Sequence, residues 1–165
     1  MHNTHPEFVG LAALKEAHKT QLRAFEEWAK QGQWREFHRH HYDWWMFPID
    51  APSKFGFKWT VFEEEIAELK KDPNFLRDLV RGAELLAFSW GWDLQQSRPI
   101  PNPAPDQCWQ RWPIRLYKAT SSLRLFGCGH EFASFRQYGQ ELIAQGEDFT
   151  FNDRDLTPLF LEERM

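Results

Sequence analysis

HRHHYDWWMFPID, residues 38–50, is the stretch on which the fold turns. Three histidines, a tyrosine, an aspartate and two tryptophans crowd into eight positions, and the run closes on Phe47-Pro48. Upstream, Trp34, Phe37, His41 and Trp44 keep helical spacing, so a single helix is expected through WREFHRHHYDWW. Phe47 precedes a proline and is pushed out of the α region, which ends that helix. Tyr42, Trp45, Phe47 and Pro48 are then expected to act as a core anchor at the turn.

Outward from this stretch the same period recurs. Pro6 opens a first helix over 6–30, with Phe8, Leu11, Leu14, Ala17, Leu22, Phe25 and Trp28 inward. After a loop over IDAPSKFGFKW, Thr60 and Glu63 have the spacing of a capping box, with Phe62, Ile66 and Leu69 as the stripe that follows. Asp72-Pro73 is a second start, a cap followed by proline at the first helical position. That helix runs to about Trp90, where Gly91 breaks it. SRPIPNPAPDQ, residues 97–107, carries four prolines and reads as a stiff extended loop. Two more helices cover Trp109–Phe126 and His130–Ala144, stopped by Gly127 and Gly146. The tail DLTPLFLEERM holds one short apolar cluster able to dock as a turn or short helix. β-branched residues are scarce and no period-2 run stands out. The expected class is all-α: a single compact orthogonal bundle of about five to six helices with a proline-rich loop, spanning 1–165 as one domain with a C-terminal tail over 147–165.

Composition narrows the function. The 165 residues carry a formal net charge of −4, which argues against a general nucleic-acid binder. Nine tryptophans and fifteen phenylalanines make a ring-rich core or surface. Two cysteines, Cys108 and Cys128, fit neither a disulfide framework nor a zinc pattern, so a reduced, cytoplasmic setting is expected. Neither a secretory signal nor an apolar run of membrane-spanning length is evident, and no membrane partner is expected.

The order of anchors is similar to a known family. HYDWWMFPID, the acidic helix ending in LKKD, FLRDLVRGAELLAFSWGWDL, the proline-rich loop and WQRWPIRLYKATSSLRLFG together resemble the conserved N-terminal domain of the opioid growth factor receptor family. The matching positions are His41, Tyr42, Trp45, Phe47 and Pro48; Arg81, Glu84, Leu85 and Gly91; and Arg111, Arg115, Ser122, Leu123 and Gly127. The resemblance covers roughly 38–136. It implies an all-helical fold and a binding module. Animal members of that family, described as enkephalin receptors, carry long extensions, and a short stand-alone member is expected here; the sequence departs from the family in carrying LYKAT where the family's basic helix is asparagine-rich.

Two sets of residues are candidates for a site. Arg111, Arg115 and Lys118, four and three apart, form one stripe on the helix expected there; Arg81, with Arg77, forms a second basic pair on the preceding helix. Arginine suits carboxylate or phosphate recognition, and Glu84 is an internal alternative partner for Arg81 or Arg115. A ligand role is expected for Arg111 and Lys118, and an internal pair for Arg115. Tyr42 lies beside them on the aromatic surface. His38 and His41, three apart, share a helix face and offer two metal ligands, with Cys128 or His130 as a distant third. Cys128 and His130, two apart, lack an orienting third group, and no phosphate loop or nucleophile elbow is present. The leading expectation is a non-enzymatic module without a cofactor, binding a protein or peptide partner through an aromatic surface and a basic stripe. The alternative is a small metal- or phosphoester-dependent enzyme built on His38, His41, His130 and the arginines.

Overall fold

A computed structural model describes residues 1–162; the last three residues of the expected tail lie outside the described residues. The chain is mostly helical. Among the described residues it forms eight helices and two two-stranded antiparallel hairpins. The expected count of five to six helices is exceeded because one expected helix breaks in two and the tail folds into a short one.

The first helix, α1 (Leu11–Lys30), begins later than Pro6, because Gly10 at φ +91° turns the chain just before it. Its buried face is Leu14, His18 and Phe25. The expected second helix divides into α2 (Trp34–Arg39) and α3 (Asp43–Met46), with His40 extended between them. Gly32, at φ +67°, makes the turn from α1 into this segment.

The segment before α4 (Glu63–Lys70) is pinned by Glu65. Its carboxylate accepts from the backbone N–H of Phe62 at 2.9 Å and from that of Asn3 at 3.0 Å. The capping role therefore falls to Phe62 and Glu65 rather than to Thr60 and Glu63. The Thr60 hydroxyl is spent instead on the carbonyl of Ala51, 3.1 Å away.

In α5 (Pro73–Ser89) the start signal holds as expected. Asp72 accepts from the N–H groups of Asn74 and Phe75, Pro73 fills the first helical position, and Gly91 at φ +81° ends the run. Two hairpins follow the helical rule less closely. Strands β1 (Trp92–Asp93) and β2 (Arg98–Pro99) pair at the entry to the proline-rich loop. That loop is strapped down by the Gln107 amide, which donates to the Phe88 carbonyl at 2.9 Å, and by His38, bonded to the Asp106 carbonyl at 2.9 Å.

Helix α6 (Pro113–Leu125) starts four residues later than Trp109. Trp112 precedes a proline and takes φ −118°, ψ 73°, so the helix starts at Pro113 itself. Arg111 sits outside it at φ +60°. Helix α7 (Gly129–Ala144) ends as expected, with Gly146 at φ +91°. Strands β3 (Thr150–Phe151) and β4 (Arg154–Asp155) then form a hairpin. Its two-residue turn, Asn152-Asp153, has both residues at positive φ, the geometry that favours Asn and Asp in tight hairpins. Helix α8 (Pro158–Leu161) docks Phe160 against Gly139 of α7.

One cluster of buried side chains runs from Leu14 in α1 to Phe160 in α8. Tyr42, Met46 and Phe47 are all fully buried within it, beside Phe25 and Phe37. The anchor reading of residues 42–48 thus describes Tyr42, Phe47 and Pro48 well. Trp45 is only half-buried, its indole N–H donating to Gln21 at 3.1 Å. No described helix is long and apolar enough to cross a membrane.

Candidate functional site

A buried arginine organises the region. Arg115 is 3% exposed and its Nε donates to Oδ1 of Asp43 at 2.7 Å. Its other nitrogens donate to the carbonyls of Phe37 at 2.6 Å and His40 at 2.7 Å. Those carbonyls belong to the last turn of α2 and its cap, where backbone oxygens have no helical partner. The Tyr42 hydroxyl donates to the Phe37 carbonyl as well, at 2.6 Å, and the guanidinium lies 4.3 Å from the Tyr42 ring centroid. Burial disfavours the Arg115 charge, but Tyr42, the Asp43 charge and the Asp43 hydrogen bond outweigh it and hold the guanidinium above its ordinary value. This network breaks the expected helix at His40 and sets the direction of α3.

The break matters because α3 carries Trp44. Around it opens a cleft of about 420 Å³, within the range of roughly 300–1,000 Å³ usual for ligand pockets. Three segments supply the rest of its lining. The loop before α4 brings Pro52 and Lys54. The start of α6 brings Trp112, Ile114, Tyr117 and Lys118, the last three at i, i+3 and i+4 and so on one helix face. The β3–β4 hairpin brings Phe151 and Arg154.

Cations and rings alternate in this lining. The Lys54 and Lys118 ammoniums lie 5.2 Å and 4.9 Å from the Trp44 ring centroid. Arg154 lies 5.0 Å from the Tyr117 ring and donates to its hydroxyl at 2.8 Å. The lining carboxylate, Asp43, is already committed to Arg115. Burial holds Lys118 below its ordinary pKa; Asp43 opposes this, while Arg115 and Lys54 add to it. Trp112 is 40% exposed at the rim, and Phe55, 44% exposed, packs edge-on against Trp44 at 4.9 Å. Two of the four large exposed hydrophobic side chains among the described residues therefore flank this cleft.

The residues singled out in the sequence are dispersed by the fold. Lys118 is in the cleft. Tyr42 and Arg115 are buried, and neither is among the side chains that line the cleft. Arg111 points elsewhere, fully outside α6, with its nearest acid, Glu147, at 3.9 Å. The stripe of Arg111, Arg115 and Lys118 therefore does not exist as one helix face. Arg81 is on α5, held bidentately by Glu26 at 2.8 Å and 3.0 Å, with Glu84 at 3.6 Å. Glu84 pairs with Arg81 rather than Arg115.

The histidine pair is also separated. The shared helix face expected for His38 and His41 is lost, because α2 ends at Arg39. His38 is turned inward to the proline-rich loop, burial lowering its pKa, whereas His41 lines the cleft. His130 bonds the Gln95 carbonyl at 3.0 Å. Among the described residues no three His, Cys, Asp or Glu side chains gather as a metal set. Burial pushes the Cys128 thiol up, away from the thiolate that nucleophilic chemistry needs.

Lys54, Trp112, Tyr117 and Arg154 were not among the sequence candidates. Two local signals bear on Trp112, Tyr117 and Arg154. Trp-Pro at 112–113 fixes the start of α6 and hence the face it presents. Asn152-Asp153 marks the hairpin that delivers Arg154. The loop conformation that brings Lys54 to Trp44 has no comparable local signal.

Comparison with known proteins returns no matching family model, no matching curated protein and no matching solved structure.

Proposed function

We propose that the chain is a non-enzymatic binding module whose cleft recognises a segment of a protein or peptide partner. The observation that carries this reading is the gathering of exposed rings and of cations lacking an ion-pair partner among the described residues at one concavity. Exposed aromatic side chains around a pocket are the usual anchors of recognition surfaces. Cations at such a rim add orientation and partner choice. The resemblance of residues 38–136 to the opioid growth factor receptor domain supports a binding role. In this reading Tyr42 and Arg115 are the scaffold of the site, and Lys54, Trp112, Tyr117, Lys118 and Arg154 are the contacting groups.

Selection from a displayed random peptide library on the immobilised protein tests the reading. Enriched peptides should combine an acidic group with an aromatic or aliphatic neighbour. They should bind the folded Lys118→Glu and Trp112→Ala variants at least tenfold more weakly. Enriched peptides that bind both variants as well as the parent would place recognition elsewhere.

A further inference from the structure

We infer that the cleft takes a phosphomonoester carried on an aromatic ring, the chemistry that a phosphotyrosine side chain presents, and this rests on the binding role proposed above. The charge of the lining points to a dianion. Lys54 and Lys118 are held against the same indole ring, at 5.2 Å and 4.9 Å from its centroid, so their charges repel. The lining Asp43 relieves Lys118 only in part, because it is shared with Arg115, whose Nε lies 2.7 Å from its Oδ1; the two charges of that pair offset each other and the two lysines remain in excess. A carboxylate ligand would neutralise one of the two lysines. A phosphomonoester carries about −1.5 to −2 at neutral pH and satisfies both. Arg154 adds a third cation at the mouth, with one N–H spent on the Tyr117 hydroxyl and four of its five donors still unassigned there.

The walls point to a ring beside that anion. Trp112, Phe151 and Ile114 form an apolar side, Trp112 meeting Phe151 edge-on at 5.2 Å while 40% of its surface stays open to solvent. A nucleotide fits less well. The Trp44 and Tyr117 rings already carry cations, which leaves no free pair of faces to sandwich a base. Besides the cations, the side chains on this lining able to read base edges include His41, Ser53, Asn152 and Tyr117, whose hydroxyl already accepts from Arg154. Phosphoserine would satisfy the lysines and leave the ring wall unused.

Calorimetric titration of the full chain at low salt with phenyl phosphate, inorganic phosphate, benzoate and adenosine monophosphate separates these cases. Phenyl phosphate should bind at least tenfold more tightly than each of the other three. Lys118→Met and, separately, the exposed Lys54→Met should each weaken phenyl phosphate at least fivefold, and Trp112→Ala should erase most of its advantage over inorganic phosphate. Circular dichroism establishes that each variant is folded; should Lys118→Met not fold, Lys54→Met decides. Equal affinity for phenyl and inorganic phosphate, tighter binding of the nucleotide, or unchanged affinity in the folded lysine variants would overturn the inference. If phenyl phosphate fails while library peptides still depend on Lys118 and Trp112, the phosphate chemistry is refuted and the binding module stands. If neither depends on these residues, both are refuted.

Discussion

Arg115 and Asp43, 72 positions apart, form an ion pair of 2.7 Å with side chains 3% and 5% exposed. The pair joins the N-terminal half of α6 to the first residue of α3. Through the same guanidinium it closes the C-terminal end of α2. One side chain thereby ends one helix, directs the next and positions Trp44 at the cleft.

Removing that side chain should be costly. Arg115→Ala leaves the Asp43 carboxylate buried without its donor, removes the side-chain donor from the His40 carbonyl, and leaves the Phe37 carbonyl with the Tyr42 hydroxyl alone. Breaking a buried pair this way costs on the order of 3–5 kcal/mol. Urea unfolding should show a loss of this size, and a double variant with Asp43→Asn should lose less than the sum of the two singles. Additive losses would mean that the two side chains act independently.

Residues 42–48 should divide by burial. Phe47→Ala empties a fully buried site and is expected to cost about 3–5 kcal/mol. Trp45→Ala, at a half-buried ring, should cost clearly less. Tyr42→Phe keeps the ring and deletes one hydroxyl bond to Phe37, for a loss of about 1 kcal/mol. Chemical denaturation of the three variants checks this order.

Gly139→Ala should destabilise, although alanine is the better helix former by about 1 kcal/mol. An added methyl would strike the Phe160 ring, which lies directly against this position in α7. A lowered melting temperature that recovers in Gly139→Ala/Phe160→Leu is the expected pattern. A stabilised single variant would show that α8 docks differently.

His18 sets an acid limit. It is 1% exposed, packs 4.7 Å from the Phe75 ring and is pushed down to about 4 by burial, against a small opposing effect of the Met46 carbonyl. The folded state keeps His18 neutral, whereas the unfolded chain protonates it near its ordinary 6.5. Stability from this residue is therefore complete above about pH 6.5, falls as the pH drops, and is exhausted near pH 4. The span corresponds to about 3 kcal/mol. His18→Leu should flatten the pH–stability curve in this window, and an unchanged slope would assign the acid loss to other groups.

Arg81→Ala provides a contrast with the cleft. Its pair with Glu26 is more than 40% exposed on both sides and should contribute only about 0–1 kcal/mol. The variant should retain full affinity for peptides that depend on Lys118. Loss of that binding would extend the site to α5.

Much of the secondary structure was written locally. Asp72-Pro73, Gly91, Gly127 and Gly146 mark boundaries because capping, ring closure and positive φ are properties of a residue and its immediate neighbours. The apolar stripes of α1 and α5 follow from helical period for the same reason. The break between α2 and α3 has no such marker. No proline or glycine stands at 40–42, and the helical period continues through it. What stops the helix is Arg115, which arrives from 72 residues away and offers the α2 carbonyls better partners than another turn would. The candidate site divides the same way. That rings and cations would meet was legible in HRHHYDWW and in the basic start of α6. Which of them share a cleft was decided by the Pro113 start of α6, by the Asn152-Asp153 hairpin and by the burial of Arg115. A spacing of three or four places two side chains on one face only while the helix is continuous, and whether it continues is settled by the packing around it.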